Sequence, residues 1–356
     1  MNAKYIIPAL VVVAAASFAQ DAAWIPENAF GAMKMDAKKL SEKPLFKKAG
    51  EKALAMGFAQ GQTESMPLQS ISNEVATVLV TFVPNGSWSP FMTTGSAEAP
   101  FSTITYICGT FDNAKVTDGL KALPSCKTAE VDGATLYSFV VEAPGMANSA
   151  APVPGMTNST IYASFPKKGT LVLSEKYETL LAGLKVVEGK APAIKGNSNI
   201  AKAISKGDPL DLVVDLKAIG AAYGNGKELP SEAPSVVHLT LRDKVATPDM
   251  LLSVSVVMGS AEIAEQGATQ ANALKGSVGA QLAANPDAAP FLKAFSDIDI
   301  SAKGDTIVGT LTLDEALLDA LLNLAQTAQA RMEEVGAGAV PGALPPPVAP
   351  LAVPAK

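Results

Sequence analysis

Two short turns constrain this chain more than anything else in it. "VDGATL" (131–136) and "AKGDTI" (302–307) each set a glycine beside an aspartate between runs that alternate apolar and polar residues. The first reads as a tight β-hairpin turning at Asp132-Gly133 and the second as a hairpin turning at Lys303-Gly304-Asp305, because these residues accept the backbone angles that short turns demand. Hairpins make antiparallel neighbours, so both ends of the chain are committed to antiparallel sheet. The stretches "KTAEVDGATLYSFVVEA" (127–143) and "DIDISAKGDTIVGTLTL" (297–313) are the two hairpins.

The segments before each hairpin follow one order. In the first half, a strand over 29–36 leads into a helix that runs to about residue 56. A buried strand, "NEVATVLVTFV" (73–83), and a second strand, "STITYICGTF" (102–111), precede a short helix, "NAKVTDGLKAL" (113–123). In the second half, "LDLVVDLKAI" (210–219) is a strand entering a helix. "SVVHLTLRD" (235–243) and "MLLSVSVVM" (250–258) are a strand pair, and a long helix covers about 261–284. The expected fold is α+β, with two repeated β-α-β-β-α-β-β units whose antiparallel sheets carry helices on one face. Ile263, Gly267, Ala271, Leu274, Val278 and Leu282 fall on one stripe of the long helix and are expected to face the core.

The expected organisation has five parts. Residues 1–19 are a leader, 20–145 the first repeat, 146–209 a connector with a loop, a hairpin and short helices, 210–334 the second repeat, and 335–356 a disordered tail rich in proline and alanine. The leader has Lys4, an apolar run from Ile6 to Ala16, and small residues at Ser17 and Ala19, the pattern of a secretory signal peptide cleaved after Ala19. That run is short of the roughly 20 residues a spanning helix needs. The alternative is a retained anchor. The expected location is therefore periplasmic or secreted, with no integral span once the leader is removed.

Cys108 and Cys126 are the only cysteines. Export places them in an oxidising compartment, where a lone pair usually bridges. A strand carrying Cys108 and a returning helix of about 11 residues set the two at similar heights. The expectation is a structural disulfide, with two separately buried thiols as the alternative.

Composition excludes several functions. A net charge of −6 with dispersed signs and no basic block argues against nucleic acid. His238 is the single histidine, and in "VVHLTLRD" it shares a parity with Thr240 and Arg242, which places it on the outer face. One imidazole supplies neither a histidine-rich metal site nor, by itself, a hydrolytic triad. Ser164 to Lys167 match S-x-x-K by letters but lie at a strand end. Asp297 and Asp299 lack the glycine and glutamate of a calcium loop. Asp211 with Asp215, or Glu27 with Asp36, form carboxylate pairs expected on a solvated face. No cofactor, metal or catalytic residue is expected.

The stretches "WIPENAFGAMKMDAKKL" (24–40) and "YICGTFDNAKVTDGLKAL" (106–123) resemble a group of uncharacterised exported bacterial proteins known only as domains of unknown function. The resemblance extends over most of residues 24–320 and rests on loose structural motifs. It implies an exported α+β protein, assigns no activity, and leaves the two cysteines outside its pattern. The functional expectation is a non-enzymatic binding or envelope-associated protein, with an unknown protein or envelope component as partner. Candidate contact residues are Trp88, Phe91 and Met92 in one loop, and Met146 and Met156 in another. The alternative is a carboxylate-dependent hydrolase acting on an envelope or extracellular polymer.

Overall fold

The structure is a computed structural model that describes residues 22–55, 73–85, 101–141, 159–204, 207–223, 230–244, 247–283 and 289–323. Residues 1–19 and 335–356, read above as a leader and a tail, lie outside these residues. A 3₁₀ turn, Ala22–Trp24, opens the described chain and leads to strand β1 (Gly31–Asp36). Helices α1 (Ala37–Glu42) and α2 (Pro44–Ala55) follow, then β2 (Val75–Pro84), β3 (Phe101–Gly109) and α3 (Asn113–Lys121). Four strands come next: β4 (Lys127–Val131), β5 (Ala134–Val141), β6 (Ser159–Lys167) and β7 (Thr170–Ser174). After α4 (Tyr177–Val187) and α5 (Asn199–Ile204), the chain continues with β8 (Leu210–Asp215), α6 (Leu216–Tyr223), β9 (Val236–Asp243) and β10 (Met250–Val257). The last named elements are α7 (Ala261–Ala283), α8 (Ala289–Ser296), β11 (Asp299–Lys303) and β12 (Thr306–Leu313), and a further helix begins at residue 315.

All twelve strands among the described residues join one sheet in the order β11-β12-β10-β9-β8-β1-β2-β3-β7-β6-β5-β4, with antiparallel pairing throughout. The two hairpins read from the sequence form at its two ends. At the β4–β5 turn Asp132 and Gly133 both take positive φ, 51° and 81°, as a mirror-image turn requires. In the β6–β7 hairpin, a side chain at Gly169 would lie 2.2 Å from the Gly109 carbonyl oxygen, so the close approach of this turn to β3 depends on glycine.

The sheet separates two apolar clusters. Ile104, Tyr106 and Cys108 of β3 join Trp24, Ile25, Ala32, Val213, Leu180 and Leu184 of α4, and Ile200 and Ile204 of α5. Ile107, of opposite parity on β3, joins Met35, Val78, Val80, Leu40 of α1, and Val116 and Leu120 of α3. Helices therefore cover both faces of one sheet. This corrects the expectation of separate sheets with helices on one face. β2 explains why: residues 75–81 are buried without a break, as a central strand covered on both sides must be.

The same alternation corrects the disulfide. Cys108 and Cys126 are free thiols. Cys108 points into the cluster under α4, whereas Cys126 packs beside the cluster under α3, on the opposite face. The helix returns beside the strand as expected, but with the sheet between the two sulfurs.

The long helix α7 also differs from its reading. Ala264 and Ala268 are its buried residues, while Leu274 is 65% and Val278 39% exposed. Leu282's side chain lies outside the described residues. Small residues let α7 settle close to β12, where a side chain at Gly267 would meet the Ile307 Cδ1 at 2.6 Å. Two polar side chains of α7 reach across to the chain before and within β11. Asn272 Nδ2 donates to the Ile300 carbonyl at 3.1 Å, and Lys275 Nζ to the Ile298 carbonyl at 2.6 Å.

Candidate functional site

Three adjacent strands, β9, β8 and β1, carry a cluster of buried titratable side chains. β1 and β8 pair so that Lys34 stands opposite Asp211, and β8 and β9 pair so that His238 stands one diagonal step from Asp211. All three side chains share the face of Ala32, Val213 and Val236, which α5 covers with Ile200, Ala203 and Ile204. Asp211 is 0%, Lys34 7% and His238 8% exposed. Asp211 Oδ1 and His238 Nε2 are 2.9 Å apart, sharing a hydrogen bond in which the imidazole N–H donates to a carboxylate. Lys34 Nζ donates to the Ile204 carbonyl at 3.4 Å. Asp211 Oδ2 has no hydrogen-bond partner among the described residues.

Alternation alone places His238 and Asp211 on solvated faces, because polar residues usually mark the outside of a strand; the structure buries both. A sheet covered on both sides has no such face. The signal available was the apolar company: Val236 precedes His238 by two residues and Val213 follows Asp211 by two. Asp215 and Asp36 serve helix ends instead. Asp215 Oδ1 accepts from the Ala218 N–H at 3.0 Å, and Asp36 Oδ1 from the Lys39 N–H at 2.9 Å. Glu27 is exposed, away from Asp36's role as a cap. Among the described residues Asp211 is the one buried carboxylate.

A second place is open to a ligand. Trp24 and Ile25 are anchored in the core, and the segment that follows lies along 192–194. The Glu27 N–H donates to the Pro192 carbonyl at 3.2 Å, and the Ile194 N–H to the Ile25 carbonyl at 2.7 Å. Between this segment and α4 runs an open groove of about 580 Å³, lined by Pro26, Leu181, Ala182, Val186 and Pro192 together with the charged Glu27, Glu178 and Lys185. An adjoining hollow of about 390 Å³ shares Pro26, Asn28, Glu178 and Ala182 and extends to Val83, Asn85 and Lys176. Lys176 Nζ donates to Asn85 Oδ1 at 3.0 Å and braces that end. Asp211 and His238 do not line either hollow.

The remaining sequence candidates are placed as follows. Trp88, Phe91, Met92, Met146 and Met156 lie outside the described residues. Ser164 is buried, and its Oγ donates to the Thr135 carbonyl at 2.9 Å, while Lys167 Nζ sits 5.5 Å from the centre of the Trp24 ring. Burial pushes the Cys108 thiol up to about 12, against the opposing pull of Lys167, which keeps it protonated and unreactive at neutral pH. Among the described residues no group of three or more histidine, cysteine or acidic side chains is placed to hold a metal ion, and no helix is long and apolar enough to cross a membrane.

No family model matches the chain, and no curated protein matches it. Among solved structures, crystal form III of TP0453 is similar at 12% identity over 86% of this chain and 99% of that one, with a TM-score of 0.43. Crystal form I of TP0453 is similar at 10% identity over 87% and 98%, also at 0.43. A likeness this distant carries neither activity nor site residues across.

Proposed function

We propose that this chain is an exported, non-enzymatic binding protein of the cell envelope, and that it contacts its partner through the groove between residues 26–28 and α4. The observation that carries the reading is the separation of the two places just described. The only histidine is committed to a buried carboxylate beneath α5, while the open groove is lined by proline and aliphatic side chains with Glu27, Glu178 and Lys185 among them. Such a lining suits contact with another molecule's apolar surface, and the charges beside it suit its orientation. The leader pattern in residues 1–19 supports export.

A duplicated origin belongs to the same reading. β1, β2 and β3 run outward from the sheet's middle as β8, β9 and β10 do on the other side. Each run ends in a hairpin, β5–β4 or β12–β11, with β6–β7 placed between β3 and β5. This order supports two copies of one unit, the first carrying an added hairpin.

The test is recovery of a partner from envelope fractions by the mature protein and by an Ala182→Arg variant that fills the groove. The reading expects a partner retained by the parent protein and lost by the variant, with thermal unfolding of the two alike. Equal recovery by both, or none by the parent, would overturn it.

A further inference from the structure

We draw no further inference here: the strongest candidate, the apolar patch of Leu274 and Val278 on the outward side of α7, is an unpartnered helix face, and nothing in the structure shows what covers it.

Discussion

Asp211 is the residue at which the fold takes its largest electrostatic risk. A carboxylate removed from water costs several kcal/mol unless charge and hydrogen bonds replace its hydration. Here His238 supplies the hydrogen bond and Lys34 stands opposite in register. His238→Leu would leave neither oxygen of Asp211 with a hydrogen-bond partner among the described residues. The expected loss is about 3 kcal/mol, read from urea unfolding, and replacing Asp211 by Leu in the same chain should restore most of it. A loss under about 1 kcal/mol would contradict the assigned role. Cys108 offers a second test. Its thiol rises from an ordinary value of 9.0 to about 12, burial being the cause, so the folded state holds the proton more tightly than the unfolded one. Stability from this group is therefore complete below pH 9 and declines as pH rises towards 12. Cys108→Ala should flatten that alkaline decline in the unfolding midpoint, and an unchanged slope would refute the assignment. These residues show the limit of reading by alternation. Val, Ile and Leu positions on the strands were legible, but a polar residue on an apolar face carries the same letters as one on a wet face.

At the scale of the element, the hairpins were legible and the long helix was only half so. Asp132, Gly133 and Gly304 locate turns because few other residues tolerate their positive φ, and both hairpins form, the second with Lys303 paired to Thr306 so that Gly304-Asp305 alone make its turn. The extent of α7 was equally plain, yet its inward stripe was not. Leucine and valine at spacings of three and four suggested the core, while the sheet selected the smaller Ala264 and Ala268, which permit closer approach. The two stripes predict opposite outcomes. Ala268→Leu should overfill the contact with the sheet and cost about 1–3 kcal/mol. Leu274→Ser should stay within about 0.5 kcal/mol of the parent. Thermal unfolding of both variants checks the orientation, and the reverse ranking would show that α7 is turned the other way.

The whole molecule is a single sheet spliced where β1 meets β8, and its sequence did not announce this. Two hairpin-ended runs of strands are compatible with two sheets or with one. The choice lies in a long-range pairing, Lys34 opposite Asp211, which no local pattern encodes. Exposed ion pairs reinforce the join from outside. Lys48 and Lys52 of α2 reach Glu315 and Asp319 of the helix that begins at residue 315, and Lys43 reaches Asp243 at the end of β9. The groove was hidden for the same reason. Pro26 and Ala182 are 156 positions apart in sequence yet line one hollow, because the bridge from Pro26 to Ala193 folds the N-terminal segment against α4. The most direct measurement of the binding role is photo-crosslinking in envelope fractions from a reactive residue placed at Ala182, with the same residue at Leu274 as the exposed control. The account predicts a discrete crosslinked partner from position 182 alone. Crosslinks of equal yield from both positions, or none from 182, would contradict it.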